Sequence, residues 1–184
     1  MRNIHDDIET ILIDHKSIVD RCKELGDILN KEYENKNLVL ICILKGSIPF
    51  LAELIKHINI DVRIEFMCVS SYHGTTQSSG DVKIIKDIDC SLKGKDVIIV
   101  EDIIDTGRTI KCLQGLLKYR QANSVKIMTL VNKKMKRVCD VEADYVGFEI
   151  DDYFIVGYGL DFDENYRNLP YIGILKKEVI EGGV

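Results

Sequence analysis

Residues 96–109 read DVIIVEDIIDTGRT: an apolar run enters the paired acids Glu101 and Asp102, then passes through Asp105 into Thr106, Gly107, Arg108 and Thr109. DVIIV (96–100) has the unbroken apolar character of a strand covered on both faces. Thr109–Lys118 carries Ile110, Leu113, Leu116 and Leu117 on one helical face. The segment between them is therefore a turn that opens a helix. Free backbone N–H groups, the positive end of the helix dipole and the hydroxyls of Thr106 and Thr109 equip it to hold a phosphate. Gly107 allows the backbone to come close to such a ligand. The carboxylates of Glu101, Asp102 and Asp105 would repel an anion unless they face a metal ion, hydroxyl groups or a proton to be removed. Helix capping by Asp105 or Thr106, with the other two acids solvated, is the plainer alternative.

The flanking sequence alternates helical and strand-like segments. Residues 15–33 place Ile18, Cys22, Leu25 and Leu29 on a helical stripe, with Asp14 as N-cap. LVLICI (38–43) reads as a buried strand, and a helix follows from Ile48 with Pro49 in its first turn and Phe50, Leu51, Leu54, Ile55 and Ile58 on its buried side. Residues 62–68 alternate with period two and read as a strand, as do 82–85, 125–131, 144–150 and 154–159. SSYHGTTQSSG (70–80) is polar and nearly free of aliphatic residues, a lid or a surface loop. This order predicts an α/β fold with a central parallel sheet flanked by helices, and chemistry beyond the carboxyl ends of the strands.

Composition bounds the function. The chain has 184 residues, 46% of them hydrophobic, enough for one globular domain with a small lobe. Its 25 basic and 30 acidic residues leave a net charge of -5, which argues against a protein that coats nucleic acid phosphates. The six cysteines form no CxxC pair and no zinc-type cluster, and are expected to be reduced thiols in a cytoplasmic protein. MRNIHDDIETILID lacks the features of a secretory signal, and the run Leu38–Leu44 is too short to span a membrane.

VEDIIDTGRT (100–109) resembles the phosphoribosyl pyrophosphate motif of type I phosphoribosyltransferases, in the form carried by those acting on hypoxanthine and guanine. Four further pieces follow the family's order over roughly residues 38–175. Leu44-Lys45-Gly46 is similar to its pyrophosphate loop, Ser71-Tyr72 to its catalytic lid, Val131-Asn132-Lys133 to its purine-contacting segment and residues 146–170 to its purine-binding hood. The resemblance implies one domain over 1–184, with a core at about 36–145 and a hood made from the N-terminal segment and about 146–184.

It also implies roles. Glu101 and Asp102 would approach the ribose hydroxyls directly or through Mg²⁺, and Asp105 would act as general base at purine N7. Thr106, Gly107, Arg108 and Thr109 would hold the 5′-phosphate, with Arg108 dispensable. Lys45, Gly46 and Arg167 would bind pyrophosphate, and the Leu44–Lys45 peptide in this family can be cis. Lys133 would donate to the purine O6, Phe154 would stack on the ring, and Ile155 and Asp161 would present carbonyls near C2, with the Asp161 carboxylate at a Mg²⁺ site. Ser71 and Tyr72 would close over the anomeric carbon. The implied partners are the ribosyl donor, a 6-oxopurine and further copies of the chain in a homodimer or homotetramer, with no nucleic acid and no membrane. Asp151 and Tyr153 stand where relatives often carry proline and lysine.

Without the resemblance, the plainer readings are a solvated loop charge for Lys45 and Arg167, core packing for Phe154 and a solubilising run for Lys133, Lys134, Lys136 and Arg137. Asp105-Thr106-Gly107 also spells the aspartic protease triplet, but here it enters a helix and has no second copy. A non-catalytic regulator of the same fold is the stronger rival, and it should lack the base-binding residues present here.

Overall fold

In the computed structural model, residues 3–71 and 82–182 are described. The elements are β1 (Ile8–Ile13), α1 (His15–Glu32), β2 (Leu38–Leu44), α2 (Ile48–Leu54), β3 (Val62–Ser71), β4 (Val82–Lys86) and β5 (Asp96–Ile104). They continue with α3 (Arg108–Tyr119), β6 (Ser124–Asn132), β7 (Tyr145–Glu149), β8 (Ile155–Val156), β9 (Ile172–Leu175) and α4 (Lys177–Gly182).

The larger sheet runs β4-β3-β2-β5-β6-β7, all neighbours parallel except β4 against β3. Its central strands are apolar on both faces, and alternate residues of one strand serve different cores. Leu38, Leu40 and Cys42 of β2 pack with Ile18, Leu25 and Leu29 of α1 and Phe50 and Leu54 of α2. Val39, Ile41 and Ile43 pack on the other face with Ile110, Leu113 and Leu117 of α3. Each such aliphatic side chain, once buried, contributes about 1.5–3 kcal/mol. Asp14 caps α1 by accepting from the Ser17 N–H at 2.8 Å, and Pro49 sits in the first turn of α2.

A second sheet, β1-β9-β8, is antiparallel, and the segments beside β8 meet residues that follow the larger sheet's strands: Gly159 lies against Gly46, and the Tyr153 carbonyl accepts from Lys133. Its own core is Val156, Tyr166, Leu169 and Leu175. Among the described residues no helix is long and apolar enough to cross a membrane.

Several boundaries differ from the sequence expectation: β3 runs on to Ser71, and α2 stops at Leu54, before Ile55 and Ile58. β5 does not end at Val100; it pairs with β6 through Glu101↔Thr129, Ile103↔Val131 and Ile104↔Asn132. The paired acids therefore lie on the strand, and only Asp105–Gly107 form the turn. The run 154–159 keeps just Ile155–Val156 as strand, because Gly157, Tyr158 and Gly159 all take positive φ and turn the chain. Residues 8–13 form a strand with no clear alternation of their own, since their partner Leu175–Ile172 lies at the far end of the sequence.

Candidate active site

β2, β5 and β6 are parallel neighbours, so the residues that follow them, Lys45, Asp105 and Lys133, emerge at one end of the sheet. The peptide Leu44–Lys45 is cis. Gly46 is buried against Asp102: a Cβ on this glycine would lie 1.6 Å from Asp102 Oδ2. Ser47, fully buried, donates its hydroxyl to Glu101 Oε2 at 3.1 Å.

The acids of β5 are held away from water. Burial, followed by the neighbouring Asp102, pushes the Glu101 carboxyl well above its usual range, and the Ser47 hydroxyl only partly offsets this. Burial likewise raises Asp102 to about 6, opposed by the Ile103 N–H and the positive charge of Arg167 and reinforced by Asp161. Two adjacent carboxyls of this kind are poised for a cation or hydroxyl groups. Among the described residues no cluster of three or more His, Cys, Asp and Glu side chains is arranged to hold a metal ion. Asp102 and Asp161 nevertheless feel each other's charge. That pattern fits magnesium, which commonly takes one or two carboxylates and completes its shell with water and substrate phosphates.

The turn after β5 lines a small pocket of about 140 Å³ with Glu101, Asp105, Thr106, Gly107 and Thr109. Gly107 caps α3 at φ 82°, in the left-handed region where a side chain is strained. A Cβ there would also strike Val141 and Arg137, at 2.6 and 2.8 Å. Asp105 Oδ1 is buried and has no hydrogen-bond partner. Arg108 is exposed on the first turn of α3.

Lys133 is buried, at 7% exposure. Burial lowers its pKa, while the charges of Asp105 and then Asp152 oppose that shift. Its ammonium donates to the backbone carbonyl of Tyr153, and Asp152 lies 3.8 Å away. Lys136 pairs with the same Asp152 at 2.8 Å. Since Lys133 uses a backbone oxygen, the tyrosine at position 153 leaves this contact available. Phe154 is 44% exposed and meets Phe162 edge-on at 5.5 Å, leaving it open for stacking. Ile155 is buried in β8.

Asp161 accepts from Arg167 Nη2 at 2.9 Å, and Arg167 Nη1 donates to the Gly159 carbonyl at 2.7 Å. Glu164 pairs with Lys45 at 2.8 Å and with Arg167 at 3.4 Å, so both expected pyrophosphate cations meet at one carboxylate. Arg167 Nε is buried without a partner. Ser71 ends β3, but its side chain and Tyr72 lie outside the described residues.

Sequence reasoning missed Ser47, Glu164 and Arg137. Ser47 carried a signal, a small polar residue two places after Lys45. Arg137 carried none. Instead of facing solvent with the basic run, it turns inward under the turn, donating from Nε to the Asp105 carbonyl at 3.1 Å and from Nη1 to the Val141 carbonyl at 2.5 Å. Its Nη2 reaches the Ile104 carbonyl at 3.4 Å and Asn132 Oδ1 at 2.5 Å.

Known proteins resemble this chain over most of its length. The phosphoribosyl transferase domain family matches residues 9–163. A hypoxanthine-guanine phosphoribosyltransferase of Streptococcus pyogenes serotype M3 is 57% identical over 96% of this chain and 98% of its own length. One from Lactococcus lactis is 56% identical, covering 97% of each. The crystal structure of a hypoxanthine phosphoribosyltransferase from Staphylococcus aureus superposes with a TM-score of 0.93 at 52% identity, covering 97% of this chain and 98% of that one.

Proposed function

The chain belongs to the phosphoribosyl transferase family, among the hypoxanthine-guanine phosphoribosyltransferases, and from that membership we propose how its pocket carries out the reaction. The enzyme salvages purines, moving the 5-phosphoribosyl group of 5-phosphoribosyl 1-pyrophosphate to N9 of hypoxanthine or guanine, with loss of pyrophosphate.

The turn Asp105–Thr109 seats the 5′-phosphate on backbone N–H groups and threonine hydroxyls. Lys45, Gly46 and Arg167 take the pyrophosphate, which displaces Glu164 from the two cations. The purine slides beside Phe154, and its O6 replaces the Tyr153 carbonyl as acceptor for Lys133. As the bond from the anomeric carbon to the pyrophosphate oxygen breaks, N9 donates its electron pair to that carbon and the N7 proton passes to Asp105. The observation that carries this reading is the buried, unpartnered Oδ1 of Asp105 in one electrostatic neighbourhood with Lys133. General-base assistance of this kind is worth roughly 10²–10⁴-fold. Asp161, Asp102 and Glu101 are the residues that would hold Mg²⁺ with the donor; when bound it neutralises charge on the departing pyrophosphate. Ser71 and Tyr72 close over the anomeric carbon and exclude water.

The free cysteines suit a reducing cytoplasm. Exposed Phe66 and Ile85 at the β3–β4 edge suit self-association into a homodimer or homotetramer. Pyrophosphate release, measured with Mg²⁺, the ribosyl donor and a panel of hypoxanthine, guanine, xanthine and adenine, tests the reading. Release that depends on a 6-oxopurine is expected. Binding of the donor without base-dependent release would instead favour a regulator of the same fold.

A further inference from the structure

We propose that Arg137 is a positioning residue that sets the orientation of the phosphate-binding turn from behind. The inference rests on reading residues 105–109 as the seat of the 5′-phosphate. In a trans peptide the C=O and N–H point in opposite directions. The carbonyls of Ile104 and Asp105 accept from Arg137 at 3.4 and 3.1 Å, and the next one, Thr106, accepts from the Val138 N–H at 3.1 Å. The Ile104 carbonyl also accepts from the Lys133 N–H at 3.0 Å. Drawing these consecutive carbonyls toward the 133–138 segment turns the N–H groups of Asp105, Thr106 and Gly107 the other way, toward the pocket that these residues line.

Two further features fix the arrangement. The aliphatic stem of Arg137 and Val141 fill the space beneath Gly107, so the turn rests on Arg137 as well as bonding to it. The guanidinium is itself held at Asn132 Oδ1 and the Val141 carbonyl. All four of these partners are uncharged oxygens, so the positive charge is not cancelled there and lies directly behind the anion seat. A lysine could not span them, because only a planar fork offers several donors in fixed directions.

The test compares ribose 5-phosphate with inorganic pyrophosphate by calorimetry on the full chain, in R137M, R137K and T109V. R137M keeps the stem and removes the donors. It is expected to weaken ribose 5-phosphate by about tenfold or more, the scale of hydrogen bonds involving a charged group, and to leave pyrophosphate within about twofold because the other subsite is separate. R137K should fall between, and it decides the comparison should R137M not fold. Ribose 5-phosphate binding as in the unmodified chain, or equal losses for both ligands, overturns the role of Arg137. The two readings separate through T109V: if it weakens ribose 5-phosphate while the Arg137 variants do not, only the Arg137 inference falls. If none of the three weakens it, the turn is not the phosphate seat.

Discussion

Asp102 Oδ2 fills the place where a side chain on Gly46 would begin, 1.6 Å from the Cβ that an alanine would bring. The loop after β2 is thereby held to β5 by contact at Asp102 as well as by the Ser47 hydrogen bond to Glu101.

Gly46→Ala must move either the loop or the carboxylate, an overpacking cost of about 1–3 kcal/mol. The expected result is a melting temperature lowered by a few degrees and a fall in kcat/KM for the ribosyl donor of roughly tenfold or more. Steady-state kinetics as in the unmodified chain would show that the loop tolerates displacement.

Asp105→Asn keeps the shape and removes the basic oxygen. Turnover should fall by roughly 10²–10⁴-fold. The melting temperature should change little, because relief of an unpartnered buried oxygen is offset by loss of the charge that supports the buried Lys133. Undiminished turnover removes Asp105 from the role of base.

Lys133→Gln replaces a buried ammonium by a neutral donor. Losing a charge-assisted contact to O6 should lower kcat/KM for hypoxanthine and guanine by about 10–100-fold. Equal kinetics for both bases before and after the change would count against the O6 contact.

Asp102 titrates near 6 in the fold against an ordinary 3.8. A raised carboxyl binds its proton more tightly in the folded state, so its stabilising protonation is lost as pH climbs from about 4 through about 6. Asp102→Asn carries no such loss. Without ligands, the variant should match the unmodified chain at pH 4 and melt higher at pH 8, while being inactive. A melting difference that does not change with pH would mean that Asp102 is not raised.

Glu164→Gln frees Lys45 and Arg167 from their shared carboxylate. The Lys45–Glu164 pair is largely exposed, at 61% and 63%, and Arg167 keeps Asp161 at 2.9 Å, so the gain is small: pyrophosphate should bind about two- to fivefold tighter by calorimetry. Weaker binding would show that Glu164 helps to shape the site.

Local pattern made much of this legible. The unbroken apolar runs of β2 and β5 announce a sheet covered on both faces, and the α1 stripe from Ile18 to Leu29 is read directly from spacing. The turn at 105–109 was visible because strand, glycine and helix adjoin in sequence. The end of β5 was not, since Glu101 and Asp102 look like a turn until β6 extends the ladder beside them. Arg137 and Glu164 were illegible for the same reason: the partners of Arg137 include backbone carbonyls that any residue supplies, and Glu164 meets a lysine from a loop 119 residues earlier.

The pairing of β1 with β9 has a consequence for synthesis. Ile8 lies opposite Leu175 and Ile13 opposite Ile172, so β1, once out of the ribosome, waits for β9 to follow it. The larger sheet is complete once Glu149 has emerged, whereas the smaller sheet must close late, over contacts of very high sequence separation. A nascent chain stopped before residue 172 would carry the phosphate turn but not the smaller sheet. Ligand capture should therefore switch on only after β9 has emerged.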